Sequence, residues 1–228
     1  MHLLYMCSDL AFAVRKVSQF SSKPRTNHWT SVIQILQYVN STITYGIEYK
    51  EEIRSVKVIR YSDSNFARDK VDQKSTMGYV FLLEGGAIAW SSWKLKSVAT
   101  STTEAKYIAL ENTTKHAIWT QRLLADIHGS QEENGIPVYC DNESSLKLVQ
   151  NSGYHSRTKH IDVRYHFVRD EFEKGTIKFK YWPTENMLAD GMMKPLPRLA
   201  FQDKRTRIGL ANLQKADASI RSNNSMEA

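Results

Sequence analysis

Only two cysteines occur among the 228 residues, Cys7 and Cys140. They stand far apart and form no metal-binding spacing, which excludes a cysteine metal centre and makes a reducing compartment the default. Long apolar runs are missing as well. The opening MHLLYMCSDLAFAV lacks a basic start, and Ser8 and Asp9 interrupt it before membrane length. Neither a secretion signal nor a membrane span is expected. No internal repeat is present. Acidic residues are the minority charge, 24 against 31 Lys and Arg, so the formal charge is +7. That excess points to an anionic partner, nucleic acid first, although many basic proteins bind none.

What remains is ordinary globular composition, 41% hydrophobic and 24% charged, long enough for one medium domain with added elements. Leu10, Ala13, Val14 and Val17 recur at helical spacing, with Ser8 or Asp9 as cap and Pro24 beyond the end. A second helical pattern follows Asn27 through Trp29, Val32, Ile33, Leu36, Tyr38 and Val39. Tyr45 to Tyr49 alternates as a short strand.

From residue 56 the character changes. VKVIRYSDSNFA, TMGYVFLL and AIAWSSWKL read as three strands, the last two turning at Gly85-Gly86. A long helix, STTEAKYIALENTTKHAIWTQRLLADI, carries Ala105, Ile108, Ala109, Trp119, Leu123 and Ile127 along one face, and Gly129 stops it. Then come the strand IPVYC, a short helix from about Ser144 and the polar loop NSGYHSRTK. The helix IDVRYHFVRDEFEKG, the strand TIKFKYW broken by Pro183, and a short helix from Met187 to Met193 complete the run. This order predicts an α/β fold with a mixed sheet, because the helical crossover permits a parallel pairing. After Pro197 the chain is basic and ends in DASIRSNNSMEA, a composition that suits a frayed tail.

Four carboxylates stand out, each with two readings. Asp63 lies in YSDSNFA, where an acid is disfavoured in a strand unless it faces water or serves a purpose. Glu104 fits a capping box with Ser101. Asp141, in VYCDNESS, is either the cap of the next helix or a metal ligand at a strand's carboxyl edge. Asp190, in MLADGMMK, is by default a solvated acid. Converged on one point, the four could not all stay ionised without cations. Oxygen donors without a sulfur or histidine cage suit magnesium or manganese. Two such ions about 3.5–4 Å apart clamp the attacking and leaving oxygens of a phosphodiester displacement.

The motifs YSDSNFA, DQKSTMGYVF, AWSSWK, STTEAKYIAL, YCDNESS, HSRTKHIDVRYHFVRD and YWPTENMLADGMMKPLP, in this order, resemble the RNase H domain of copia-type LTR retrotransposon Pol polyproteins. SDLAFAVRKVSQFSSKPRTNHW and the stretch to YVNSTITYGIEY are similar to that family's reverse-transcriptase end, while the polymerase's catalytic aspartate motif is absent. The resemblance implies three regions. Residues 1–52 are a mostly helical reverse-transcriptase remnant, 53–197 an RNase H-like mixed five-stranded sheet flanked by helices, and 198–228 a basic, partly disordered tail. It implies cleavage of the RNA strand of RNA–DNA hybrids with two Mg2+ ions, Mn2+ being an alternative. Asp63, Glu104, Asp141 and Asp190 become the catalytic and metal-binding acids. Ser64, Asn65, Asn142, Arg157, Lys159 and Arg164 become nucleic-acid contacts. His155 or Glu185 becomes the auxiliary group in place of a histidine that WPTEN lacks; His166 reads better as a packed or solvated residue. The missing polymerase part is an implied partner, and the implied place is the cytoplasm, in a virus-like particle, or the nucleus.

Three departures bear on activity. Leu95 replaces a polar position, Gly191 follows Asp190 with poor helix propensity, and Met193 removes a hydroxyl. The competing expectation is therefore a catalytically silent RNase H-fold module that binds nucleic acid or protein.

Overall fold

The computed structural model describes residues 6–50, 58–67, 69, 72–96, 98–128, 135–150 and 162–214, with the backbone alone for 162–165. In chain order the elements are α1 (Ala11–Ser18), α2 (Thr26–Ser41), β1 (Tyr45–Ile47), β2 (Val58–Asn65), β3 (Thr76–Leu83) and β4 (Gly86–Lys94). They continue with α3 (Thr102–His128), β5 (Ile136–Cys140), α4 (Glu143–Gln150), α5 (Asp162–Glu173), β6 (Ile177–Tyr181), α6 (Arg198–Arg207) and β7 (Leu210–Asn212).

The five-stranded sheet has the order β4-β3-β2-β5-β6. Glu84 and Gly85 both take positive φ, 48° and 79°, and make the two-residue turn between β3 and β4. Such a turn joins antiparallel neighbours and matches their twist. The expected Gly85-Gly86 turn is thus displaced by one residue, and Gly86 opens β4. β2 and β5 run parallel with Tyr61 opposite Tyr139, and β5 and β6 run parallel from Ile136↔Ile177 to Cys140↔Tyr181. The sheet is the mixed one expected. β3 is buried on both faces from Met77 to Leu82 and reads as a nearly continuous apolar run, whereas β2, buried as well, carries Arg60, Ser62, Asp63 and Ser64.

The chain divides into two compact units. One holds Met1–Val58, Leu82–Ala89 and Pro195–Ala228; the other holds Ile59–Phe81 and Trp90–Lys194. In the second, Met77, Leu95, Ala99, Ala105, Ile108 and Ala109 form a core cluster with Phe66 and Trp93 packed against it. Leu95 is apolar for that reason. The carboxyl half of α3 departs from expectation. Trp119, Leu123 and Ile127 are 61%, 41% and 65% exposed, whereas Thr113, Ala117 and Thr120 are buried. Small side chains at i, i+4 and i+7 permit close packing there, and the Thr113 hydroxyl donates to Ser62 Oγ in β2 at 2.7 Å.

In the first unit neither Ser8 nor Asp9 caps a helix through its side chain. Asp9 instead accepts a hydrogen bond from the Tyr38 hydroxyl, and Arg205 donates to the Tyr38 and Tyr45 hydroxyls at 3.1 and 3.3 Å. Residues 198–212 of the basic tail are ordered: α6 carries Arg205, and β7 pairs antiparallel with β1, Tyr45 opposite Asn212. Residues 215–228 lie outside the described residues. No described helix is long and apolar enough to cross a membrane.

Candidate active site

The parallel register fixes the first two acids. Tyr61 and Tyr139 face each other across β2 and β5, and Asp63 and Asp141 each stand two residues further on. Side chains two apart on a strand share a face, and the register brings Asp63 of β2 beside Asp141, the first residue past the end of β5. Lys106, from the first turns of α3, meets them there. Its Nζ lies 3.1 Å from Asp63 Oδ1 and donates to Asp141 Oδ1. The three side chains are only 4–12% exposed.

Burial pushes the Asp63 carboxyl up, against the opposing pull of Lys106 and with the help of the Asp141 charge. For Asp141 burial acts in the same sense, but the Lys106 hydrogen bond and charge outweigh it and hold that carboxyl below the ordinary range. Thr184 donates to Asp141 Oδ2 at 2.9 Å. The loop carrying Thr184 is tied down by Trp182. Its backbone N–H donates to Cys140 O at 2.9 Å, its indole N–H donates to Asn186 O, and its ring lies 5.9 and 4.9 Å from those of Tyr61 and Tyr139.

Asn142, not Asp141, caps α4: its Oδ1 accepts from Ser145 N–H at 2.6 Å. That leaves the Asp141 carboxylate to the site and engages the Asn142 side-chain oxygen locally. Glu104 is held differently. Ser101 Oγ accepts from Glu104 N–H at 3.1 Å, as a capping box requires. The Glu104 carboxylate turns to Thr100, accepting from its backbone N–H at 2.6 Å and from its hydroxyl. Asp190, 5% exposed, lies in the 3-10 turn Leu188–Met192 and pairs with Lys194 at 2.7 Å. The sequence pattern predicts a helix here; Gly191 and the tightness of a five-residue turn explain the 3-10 form. Gly78 of β3 lets that turn approach, since a Cβ there would lie 2.4 Å from Met192 Cβ. Met193 is buried at 2%, so an apolar side chain suits its place.

Two of the four acids therefore share one cation, and two are bound elsewhere. Among the described residues no group of three or more His, Cys, Asp or Glu side chains is gathered as a metal site. Ser64 is buried beside Asp63, its backbone N–H donating to Asp63 Oδ1 at 2.7 Å, and Asn65 ends β2 half-buried. Glu185 and His166 are exposed. His155, Arg157 and Lys159 lie outside the described residues, as does the Arg164 side chain. No local pattern in the sequence marks Lys106 as a site residue. The available signal was its place two residues after Glu104 near a helix start, where helical spacing swings it off the Glu104 face.

No protein-family model matches the chain. It is 36% identical over 209 residues, 92% of its length, to the "Retrovirus-related Pol polyprotein from transposon RE2" of Arabidopsis thaliana. It is 40% identical over 202 residues to the "Retrovirus-related Pol polyprotein from transposon TNT 1-94" of Nicotiana tabacum. The chain spans 14–15% of the length of these relatives. Among solved structures, LC11-RNase H1 in complex with an RNA/DNA hybrid aligns over 60% of the chain and 94% of its own, with 18% identity and a TM-score of 0.44.

Proposed function

We propose, on the premise that the chain belongs to the copia-type retrovirus-related Pol polyproteins, that residues 53–197 act as a ribonuclease H. The reaction is metal-dependent endonucleolytic cleavage of the RNA strand of an RNA–DNA hybrid during retrotransposon reverse transcription. One observation carries the reading: Asp63 on β2 and Asp141, the residue that follows the parallel strand β5, converge on one cation, the Lys106 ammonium.

The donor set fits magnesium or manganese, since it offers carboxylate oxygens without thiolate or imidazole. Asp63 and Asp141 would hold the ions, joined by Glu104 on releasing Thr100 and by Asp190 on releasing Lys194. When bound, two such ions supply an activated water and stabilise the leaving oxygen. The chain's own residues do the positioning. Thr184 fixes the Asp141 rotamer by donating to Oδ2, and the Tyr61, Tyr139 and Trp182 rings hold the loop that carries it. Ser64, Asn65 and Asn142 flank the acids in sequence and would meet the substrate backbone. Arg157, Lys159 and Arg164 would pair with phosphates and so position the hybrid without reading its sequence. Glu185, exposed one residue after Thr184, is the auxiliary candidate among the described residues. The rest of the polyprotein, its polymerase part included, is the proposed protein partner.

The deciding experiment is cleavage of a labelled RNA–DNA hybrid with magnesium, manganese or chelator, beside the Asp63→Asn protein. Metal-dependent cutting of the RNA strand that disappears in the variant is expected. A well-folded protein that binds the hybrid and leaves it intact would overturn the enzymatic reading in favour of a nucleic-acid-binding module.

A further inference from the structure

We propose that Lys106 is a tethered competitor for the divalent cation: its bridge to Asp63 and Asp141 and occupancy of those carboxylates by an ion exclude each other. The inference rests on the metal-binding reading above and deepens it, since it concerns how the same site loads.

The geometry sets this lysine apart from ordinary surface pairing. Lys147 and Glu143 pair within one helix with side chains 69% and 66% exposed. Such contacts contribute little and tether nothing. Lys106 instead reaches from α3 to β2 and to the residue that follows β5, and its side chain is 12% exposed between two carboxylates at 4%. Both acids offer it the Oδ1 atom. An ion bound directly to Asp63 and Asp141 through those atoms would stand at contact distance from the ammonium, and like charges that close repel, so the two cations compete for the same place. The charges also differ. One ammonium balances one of the two acids, whereas a divalent ion balances both, which is what makes displacement favourable when the ion is supplied. A lysine suits such exchange better than an arginine. It is a compact point charge on a flexible four-carbon stem, free to swing toward the exposed side once released.

Two consequences follow. Removing the lysine strengthens ion binding, because the ion no longer has a competitor. Supplying the ion frees the lysine, because linkage between two mutually exclusive ligands is reciprocal.

The test uses the full chain without nucleic acid. Calorimetric Mn2+ titration would compare wild type with Lys106→Met, Lys106→Arg and Asp141→Asn. In parallel, acetylation of Lys106 by a limiting reagent would be followed by mass spectrometry with and without Mn2+. Binding about tenfold tighter in Lys106→Met, within the range usual for coupled sites, is expected. Lys106→Arg should stay near wild type and Asp141→Asn should bind poorly. Lys106 labelling should rise as Mn2+ saturates. Equal affinity in wild type and Lys106→Met, with binding still lost in Asp141→Asn, would leave the metal site standing and overturn the competitor role. Absence of Mn2+ binding in every folded variant would remove both. Should Lys106→Met fail to fold, the labelling of wild type decides: protection unchanged at saturating Mn2+ refutes the proposal, and exposure upholds it.

Discussion

Two polar clusters, one in each unit, use the same residue chemistry to opposite ends. In the first, one acid, Asp9, meets one cation, Arg205, through the Tyr38 hydroxyl, and Arg205 also lies over the Tyr45 ring at 4.4 Å. Acid and cation are matched, and each partner is fixed by a hydrogen bond. In the second, two acids share one lysine, and a third carboxylate, Glu104, is turned to a backbone N–H and a hydroxyl. A balanced cluster holds elements together. A cluster with surplus acid retains an appetite for cations.

That contrast can be broken most forcefully at Asp141. Asp141→Asn is expected to cut hybrid cleavage on the order of 10²–10³-fold, the scale of losing one group that stabilises developing charge. Its thermal midpoint without metal should fall only slightly: Lys106 favours the Asp141 charge in the fold, but it keeps Asp63 as partner. A large fall in the midpoint would mean that the second cluster is structural like the first. Gly78→Ala comes next. With 2.4 Å between the new Cβ and Met192 Cβ, overpacking should destabilise by about 1–3 kcal/mol. The turn carrying Asp190 should shift with it, so cleavage should fall more than denaturant stability predicts.

The balanced cluster answers differently. Tyr38→Phe leaves Asp9 and Arg205 without the hydroxyl between them and should cost about 1–2 kcal/mol in urea unfolding, with cleavage by the folded protein unchanged. The smallest effect concerns pH. Burial raises the Asp9 carboxyl above its ordinary value, so the folded chain holds that proton to higher pH than the unfolded chain does. The sign follows from linkage: this contribution to stability is full below the unfolded value and is lost as pH rises through the folded one. Asp9→Asn should therefore gain thermal midpoint relative to wild type as pH climbs out of the carboxylate range. A difference independent of pH would show that Asp9 titrates alike in both states.

Much of this architecture was readable in advance, and the exceptions share a cause. β3 and β5 begin and end where alternating or continuous apolar residues do, because strand periodicity and turn residues are local properties. α3 was likewise legible as a helix, yet not in what it buries. Trp119, Leu123 and Ile127 share a face with Ala105, Ile108 and Ala109 by spacing, and only the packing of α3 decided that Thr113, Ala117 and Thr120 go inside instead. The order of β7 is not legible in the sequence, because a three-residue strand such as Leu210–Asn212 has no signature until Tyr45–Ile47 supplies its partner.

The acids divide in the same way. Their residue types, their order along the chain and the capping bond of Ser101 to Glu104 follow from the sequence alone, since each depends on neighbours within a few positions. Whether Asp141 caps a helix or faces Asp63 was open until the parallel register of β2 and β5 set them side by side and Asn142 took the cap. Lys106, 35 residues from Asp141, joins them by a contact with no local pattern. Tertiary structure alone decides such contacts, because buried charge selects its partner by distance in space and not along the chain.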